Sequence, residues 1–409
     1  MTTDFFQAAR RDYVRINVAT LDWLLDRPRL DGVYLNTKLN PLTLADYGPE
    51  DGLRGPDFLF GWIQGRGLES LALHAAFFDD VQPELAGRLD AAARDLCAAL
   101  DGLTSESGHA YFCYDKAYTP IRRLDGGGWT AQSLPADIYT FSDAFVAKGM
   151  VAAAARFGLP SLDDNLEALG KVIAAIEDNR FQIDEHAPLG IETLAEQDAD
   201  FGPRMILLGA AGLLRRIGAG ETHTAFADRF IDHVLTHHFD PASGLLRNVP
   251  GGDVSNVGHG IEFTGFALDH LGAGAAPDVL ETLENILCGS FEAGYAKPGL
   301  ALTVSVATGE RLSPYCPWWS LPETIRTAAL LYELSGSERV LAVWRTAHEA
   351  FFTWYWRETP PIAYQCRTAE GPIDYVPATP DLDPGYHTGL SLLGAISAID
   401  RMTSNRERD

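Results

Sequence analysis

The stretch MILLGAAGLL, residues 205–214, decides the fold class because it would be apolar on every side of a helix. Its Ala, Leu and Gly content favours a helix over a buried strand, which would be rich in β-branched residues. A helix without a polar face must be covered on all sides by other elements. Segments of the same character recur at 62–78, 145–155, 261–268, 325–334 and 390–399. The sequence therefore predicts a layer of six buried helices.

Between these buried segments lie helices with a narrow apolar stripe and a polar back. Their stripes fall within 85–100, 162–176, 226–234, 279–287 and 340–351, and residues 3–26 add a further outer helix at the N-terminus. Twelve helices that alternate strictly between outer and inner are typical of one architecture. We predict an all-α protein with an (α/α)6 barrel.

The domain organisation follows from the absence of a linker in the sequence. The chain has 409 residues, and neither a Pro/Ser-rich stretch nor a low-complexity segment interrupts it. We predict a single catalytic domain over 1–409, with a flexible tail at 403–409.

Charge and composition restrict the partners. The formal net charge is −24, which would repel both nucleic acid and an anionic membrane. No apolar run approaches the length of a membrane span, and residues 1–13 are too charged for a signal peptide. The five cysteines are scattered and odd in number, as expected of reduced thiols. These features predict a cytoplasmic protein that binds a neutral small molecule, with neither nucleic acid nor membrane as partner.

Candidate catalytic residues lie where the buried helices begin. His259 and Glu262 are three apart, so on a helix they share a face, and the carboxylate can raise the basicity of the imidazole. His387 follows a short loop and can act as a second acid or base. Arg66 opens another buried helix and can hold an oxyanion.

Each of these residues also has a structural interpretation. A histidine near a helix start is more often a structural hydrogen-bond partner than a catalyst. Arg66 is as well explained by a buried ion pair with Glu69 or Asp143. Trp318 and Trp319 form either part of the core or a platform for the apolar face of a sugar ring.

The sequence offers little support for a metal or a cofactor. His233 and His237, with His238, have the spacing of zinc ligands, but they end an outer helix, where histidines bind the last carbonyl groups. Phosphate-binding glycine loops, Gly-x-Ser-x-Gly and His-Glu-x-x-His are absent from the sequence. We predict that the protein uses neither a metal nor a cofactor.

Four segments taken together resemble the N-acylglucosamine 2-epimerase family, which also includes the mannose-type aldose–ketose isomerases and cellobiose 2-epimerase. In chain order they are WIQGR at 62–66, GHGIE at 258–262, Trp318-Trp319 followed by Pro322-Glu323, and Tyr386-His387. The resemblance extends over about residues 62–402, with PRMILL at 203–208 and residues 141–145 as further matches. Each motif is weak alone, but four in register on twelve helices are fairly specific.

The resemblance implies an (α/α)6 barrel that moves the proton on the carbon beside the carbonyl of an opened sugar. By position it implies His259 and His387 as the acid/base pair, with Glu262 and Glu323 in support and Arg66 against the enediolate. The residues it implies for substrate binding are Trp62, Asp143, Arg204, Arg247, Trp318, Trp319 and Tyr386. Members of the family often pair, which implies a homodimer.

Two departures from the family's pattern bear on the substrate. Glu69 stands where the family usually has tryptophan, and Gly265 stands where it tends to have an aromatic residue. The loss of both rings predicts a ligand that is larger than mannose or N-acetylmannosamine, or differently substituted. Arg204, at a position where apolar residues are common, adds a contact for a carboxylate or sulfonate group.

Three functions remain open from the sequence. The first is a sugar epimerase or aldose–ketose isomerase. The second is a glycoside hydrolase or unsaturated-uronyl hydrolase, which would need two carboxylates from among Asp143, Glu262 and Glu323. The third is a sugar-binding protein without catalysis.

Overall fold

The computed structural model describes residues 2–124, 127–375 and 381–406. Within these residues, twelve helices are at least twelve residues long. They are α1 Thr2–Asp26, α2 Gly61–Phe78, α3 Pro83–Thr104, α4 Phe141–Phe157, α5 Leu162–Glu177, α6 Gly202–Arg216, α7 Phe226–His237, α8 Val257–Leu271, α9 Pro277–Gly294, α10 Ser320–Ser335, α11 Glu338–Ala350 and α12 Ser391–Arg406. The predicted all-α class is confirmed.

The burial of these helices follows the predicted alternation. In the inner helix α6, every residue is buried except Arg204 and the last two arginines. In the outer helix α7, the buried residues are Phe226, Ala227, Phe230, Ile231 and Val234, so its apolar stripe alone faces the core. Continuous apolar sequence therefore marks the fully buried helices, and a periodic stripe marks the half-exposed ones.

Local sequence signals set where the helices begin and end. Thr140 and Asp143 form a capping box at the start of α4, and Gly158, in the left-handed conformation at φ 59°, ends it. The side chain of Asn256 caps α8 by accepting a hydrogen bond from the backbone N–H of His259. Gly336 ends α10 in the same left-handed conformation, at φ 63°.

Short elements that the sequence did not predict fill the connections. Two short helices span Ile191–Glu196 and Glu221–Thr224, 3-10 turns span Pro49–Arg54 and Gly272–Gly274, and π-helical turns span Phe351–Tyr355 and Tyr386–Leu390. The strands, all antiparallel in their pairings, are β1 Leu59–Phe60, β2 Cys113–Tyr114, β3 Pro120–Arg123, β4 Trp129–Ala131, β5 Phe239–Asp240, β6 Leu245–Leu246, β7 Val254–Ser255, β8 Tyr295–Ala296, β9 Gly299–Leu300, β10 Val304–Ser305, β11 Cys316–Pro317, β12 Cys366–Thr368 and β13 Gly371–Pro372. Strands β1 to β4 form one sheet in chain order, and the others pair in twos and threes.

The chain divides into two compact units, each built from separate segments. The larger unit comprises 1–20, 199–377 and 387–409, and the smaller unit comprises 21–198 and 378–386. Helices α2 to α5 pack together in the smaller unit, and α6 to α12 pack in the larger. The single domain predicted from the sequence stays a prediction.

Two further sequence predictions concern the C-terminal tail and membrane-spanning helices. Helix α12 extends to Arg406, residues 407–409 lie outside the described residues, and the flexible tail predicted at 403–409 stays a prediction. No helix in the described parts of the chain has the length and apolar character needed to cross a membrane.

Candidate active site

The clearest candidate for a catalytic pair in the larger unit is His387 with Glu323. His387 is buried in the π-helical turn that precedes α12, and Glu323 is buried in the first turn of α10. The two atoms Nδ1 of His387 and Oε1 of Glu323 lie 3.0 Å apart. Because a carboxylate only accepts, Nδ1–H donates, and this tautomer places the lone pair of the imidazole on Nε2. His387 is thereby oriented as a base.

Arg326 keeps Glu323 in its charged form. It follows Glu323 by one turn of α10, and its guanidinium nitrogen lies 2.7 Å from Oε2 of Glu323. Burial raises the pKa of Glu323, but the charge of Arg326 and the hydrogen bond from His387 outweigh burial and leave the pKa below its ordinary value. The carboxylate that holds His387 is therefore ionised at neutral pH.

Trp319 brings the two predicted histidines to one surface. The ring centroids of His259 and His387 each lie 5.5 Å from the Trp319 indole, tilted by 34° and 35°. Helix α8 approaches that indole so closely that a Cβ atom at Gly258 would overlap it. Trp318 lies perpendicular to His387 and donates its Nε1–H to the hydroxyl of Thr388 at 3.2 Å. Trp318 and Trp319 therefore border the two imidazoles, and Trp319 is in contact with both.

Helix α8 supplies His259 and Glu262, as predicted. His259 is the third residue of the helix and is half-buried, whereas Glu262 is buried one turn later. One carboxylate oxygen of Glu262, one of Glu323 and one nitrogen of His387 lie within 4.8 Å of one another. The larger unit thus gathers six of the predicted residues, which are His259, Glu262, Trp318, Trp319, Glu323 and His387.

Glu262, Glu323 and His387 also have atoms that could bind a metal ion. Among the described residues, they form the one group of three or more such side chains whose ligating atoms lie within 4.8 Å of one another. Two carboxylates and an imidazole match a divalent cation in donor chemistry. However, the guanidinium of Arg326 already contacts Glu323 and would repel a cation beside it. We interpret the group as a proton-transfer cluster. The prediction that the protein uses no metal stays a prediction.

The other two predicted arginines of the larger unit lie in different surroundings. The guanidinium of Arg204 lies 5.7 Å from the ring centroid of Phe230. Arg247 donates to Asp240 at 2.9 Å and to the carbonyl oxygen of Gly252, contacts that hold its own loop together. The sugar contacts predicted for both arginines stay predictions.

The histidines that end α7 do not form a zinc site among the described residues. Nδ1–H of His238 donates to the carbonyl oxygen of Arg247 at 2.9 Å, as expected of a structural histidine. Burial and the neighbouring charge of Arg204 lower the pKa of His233 to about 4. These residues are a helix end beside an arginine, in agreement with the structural interpretation.

The smaller unit contains an aromatic and cationic cluster. The guanidinium carbon of Arg66 lies 5.0 Å from the ring centroid of Trp62, 4.1 Å from Phe145 and 5.2 Å from Tyr386. Nζ of Lys148 donates to the Tyr386 hydroxyl oxygen at 2.7 Å. The predicted residues Trp62, Arg66 and Tyr386 are therefore neighbours within this unit.

Two carboxylates proposed as partners of Arg66 have other roles in the structure. Glu69 lies 3.2 Å from Nζ of Lys148, and both side chains are buried. Asp143 accepts from the backbone N–H of Thr140 and of Ala110 and from the His109 ring. One oxygen of Asp143 thus serves the cap of α4 and the other accepts from Ala110 and His109, and its predicted sugar contact stays a prediction.

Sequence reasoning missed Arg326 and Lys148. Each is a charged side chain inside an inner helix, and each is buried. A lone cation in an otherwise apolar helix was the available signal, because such a charge requires a partner. Arg326 lies within the segment 325–334 and Lys148 within 145–155, and both segments are otherwise apolar nearly all round.

Comparison with known proteins gives similarity of fold. No protein-family model and no curated protein matches the sequence. Among solved structures, a cellobiose 2-epimerase from Spirochaeta thermophila is 14% identical with a TM-score of 0.73, covering 98% of each chain. A D-mannose isomerase is also 14% identical, with a TM-score of 0.70 and coverage of 96% and 97%. An unsaturated glucuronyl hydrolase specific for heparin is 10% identical, with a TM-score of 0.57 and coverage of 97% and 98%. These similarities show the fold, the predicted all-α barrel of helix pairs.

Proposed function

From the fold that it shares with a cellobiose 2-epimerase and a D-mannose isomerase, we propose that this chain is a sugar 2-epimerase or aldose–ketose isomerase. The observation that carries the proposal is the contact of two imidazoles, those of His259 and His387, with the single indole of Trp319. Two acid/base groups beside one aromatic face suit a substrate whose apolar ring face or open chain lies against the indole.

The proposed reaction moves a proton at C2 of the ring-opened sugar. His387, with Nδ1–H held by ionised Glu323, takes the C2 proton on Nε2, and the electron pair of the C–H bond forms an enediolate with the carbonyl group. His259 takes part as the second acid/base group. Delivery of a proton to the opposite face of C2 gives the epimer, whereas delivery to C1, with the O2 proton passing to O1, gives the ketose. Glu262 and Glu323 support the imidazoles, because a carboxylate stabilises the imidazolium that forms.

A glycoside hydrolase needs a protonated carboxyl group as general acid. Of the three carboxylates considered for that role, Asp143 and Glu323 are poorly suited to it. The pKa of Glu323 is lowered, and its oxygens contact Arg326 and His387. The oxygens of Asp143 accept hydrogen bonds from the backbone N–H of Thr140, from that of Ala110 and from the His109 ring. Glu262 remains as candidate acid, and its partner carboxylate would have to be Glu323, whose two oxygens already contact Arg326 and His387, so the epimerase or isomerase is the better-supported function.

The proposal is tested by proton exchange from D₂O into C2 of a panel of sugars, followed by NMR. The panel contains mannose, glucose, N-acetylmannosamine and cellobiose, with sulfonated and carboxylated hexoses included because of Arg204. We expect exchange with at least one sugar. His259→Ala and His387→Ala are each expected to lower its rate by about 10²–10⁴-fold. His223→Ala, on a short helix of the same unit, is the matched control and is expected to retain the rate.

Two outcomes would contradict the proposal. Exchange that persists at the original rate in both histidine variants would exclude the acid/base pair. Release of a reducing end from a glycoside, without exchange at C2, would favour the hydrolase instead.

A further inference from the structure

Arg326 is a buried cation beside the proposed acid/base group. Its side chain is 10% exposed, on a helix whose neighbouring residues are buried and mostly apolar. The guanidinium contacts Oε2 of Glu323 at 2.7 Å and lies 4.2 Å from the ring centroid of Phe266. A buried arginine is costly unless its charge is matched, so its position beside Glu323 calls for an explanation.

Two glycines provide the space that Arg326 occupies. A Cβ atom at Gly265, on α8, would lie 3.0 Å from a terminal guanidinium nitrogen of Arg326 and 3.1 Å from its Nε, and would overlap the hydroxyl of Thr327. A Cβ atom at Gly394, on α12, would lie 3.0 Å from Cγ and 3.2 Å from Cδ of Arg326. Helices α8 and α12 therefore both lack a side chain where α10 carries the arginine.

The glycine at 265 is one of the two departures from the pattern of the family that the motifs resemble. An aromatic side chain at this position would fill the space of the guanidinium. Gly265 and Arg326 are thus two parts of one local arrangement, because a side chain at 265 would crowd the guanidinium.

We propose that Arg326 is a positioning residue that acts through Glu323 to hold the His387 imidazole in the tautomer that accepts a proton on Nε2. The inference rests on the proposed function for its kinetic test. A charged Glu323 accepts from Nδ1–H of His387 at 3.0 Å, whereas a protonated Glu323 would compete as a donor. Arg326 favours the charged form by its contact with the other oxygen of the same carboxylate.

The charged and polar groups around this arrangement come from α6, α8, α10 and α12. Glu262 lies in the same cluster as Glu323 and His387, and Arg326 also approaches the carbonyl oxygen of Glu262 at 3.5 Å. The hydroxyl of Ser391 also favours the charged form of Glu323 and so lowers its pKa further. Asp269 also responds to the charge of Arg326, but its nearest cation is Arg216 at 2.8 Å, with Arg401 as a weaker influence. Removal of Arg326 therefore leaves Asp269 paired and Glu323 without its cation.

The kinetic test compares Arg326→Met, Arg326→Lys and the control Arg216→Met. Arg326→Met is expected to lower kcat for C2 exchange about tenfold at pH 7 and to move the acidic limb of the kcat profile upward by about one pH unit. KM is expected to change by less than about threefold, because Arg326 does not contact the substrate. Arg326→Lys is expected to return the acidic limb of the kcat profile to its position in the parent protein. Arg216→Met, which breaks the ion pair with Asp269, is expected not to move this limb.

Gly265→Ala tests the same point while Arg326 is retained. The added methyl is expected to displace the guanidinium and move the acidic limb in the same direction. In combination with Arg326→Met it is expected to add little, since both changes remove one contact. This variant keeps the inference testable if Arg326→Met fails to fold, which circular dichroism would reveal.

A readout independent of activity separates this inference from the proposed function. The ¹⁵N shifts of the His387 ring, assigned by their loss in His387→Asn, report which nitrogen carries the proton. We expect Nδ1 to be protonated in the parent protein and in Arg216→Met, and a mixture of tautomers in Arg326→Met. Unchanged tautomers in Arg326→Met and Gly265→Ala would overturn the inference. Absence of C2 exchange with every sugar, with the tautomer shift present, would overturn the proposed function alone.

Discussion

Lys148 and Glu69 form an ion pair of 3.2 Å inside the smaller unit, and only 1% and 4% of their side chains are exposed. Breaking a buried pair leaves one charge without its partner, which costs more than the pair itself contributes. We expect Lys148→Met to lower the free energy of unfolding by about 3–5 kcal/mol in chemical denaturation.

The double variant Glu69→Leu/Lys148→Met is expected to recover most of that loss, because no charge is left buried. Lys171→Met, which breaks the exposed pair with Glu167, serves as the control and is expected to have no measurable effect. A double variant as unstable as Lys148→Met alone would show that the charge of Glu69 is not what destabilises the single variant.

Glu323→Gln removes the charge that orients His387. The amide can place its NH₂ group towards Nδ1 and favour the wrong tautomer, so we expect kcat for C2 exchange to fall by about 10²–10⁴-fold with little change in KM. Glu333→Gln makes the same change on the same helix, where the carboxylate pairs with Arg401, and is expected to retain kcat. Equal kcat in the two variants would contradict the role of Glu323.

Glu185 gives a prediction for stability against pH. It is buried beside the start of α4 and accepts from Ser142 N at 3.1 Å and from the Ser142 hydroxyl at 2.7 Å. Burial, with the nearby charge of Asp143, raises its pKa to about 8 against the opposing hydrogen bonds. Between about pH 4.3, where an unfolded glutamate titrates, and pH 8, the folded chain keeps a proton that the unfolded chain has lost.

Between about pH 4.3 and 8 the unfolded state binds fewer protons than the folded state. The contribution of Glu185 to the free energy of unfolding is therefore complete below about pH 4.3 and is lost as the pH rises towards 8. The expected slope is at most about 1.4 kcal/mol per pH unit, and it flattens above pH 8. Glu185→Gln is expected to remove this slope in denaturation series at pH 5 to 9, and Glu192→Gln, which is exposed, is expected to retain it. A slope that survives in Glu185→Gln would contradict the prediction.

Removal of metal ions is expected to leave C2 exchange within about twofold of its original rate, because Arg326 rather than a metal ion matches the charge of Glu323. The measurement is exchange after dialysis against a chelator, with elemental analysis of the dialysed protein. A loss of activity that one added divalent metal restores would contradict it and would make Glu262, Glu323 and His387 its ligands.

The order of the inner and outer helices could be predicted from the sequence. A helix that is buried on all sides is continuously apolar, whereas a helix that is buried on one side has apolar residues at helical spacing. The segment 205–214 lies within α6, and the stripe at 226–234 lies within α7. The short strands could not be predicted, since most of them are two residues long and leave no alternation to detect, and some, such as β7 and β10, pair between distant parts of the chain.

The candidate site was predicted in part. His259 and His387 stood out by chemistry and position, and the structure places both against Trp319. The role of Asp143 in the cap of α4 depends on the three-residue spacing from Thr140, a capping-box pattern that was visible in the sequence but was not used. The contact of Arg326 with Glu323 depends on space left by Gly265 and Gly394, and only the packing of three helices reveals it.

The division into two units has no signature in composition. The chain passes between the units at 20, 198, 377 and 386, so each unit is made of discontinuous segments. A linker search detects a boundary that is crossed once, because such a boundary is exposed and rich in polar or flexible residues.

Gly258 affects the candidate site through its backbone, although it has no side chain to contribute. Its missing side chain lets the backbone of α8 touch the Trp319 indole, so any other residue there would push away the ring that both imidazoles border. The position has no acid, base or charge, yet it governs the spacing of groups that do. A list of reactive side chains would not include this glycine. A substitution that adds one methyl group at 258 would nevertheless displace the Trp319 ring and disturb the spacing of the two imidazoles, without changing either of them.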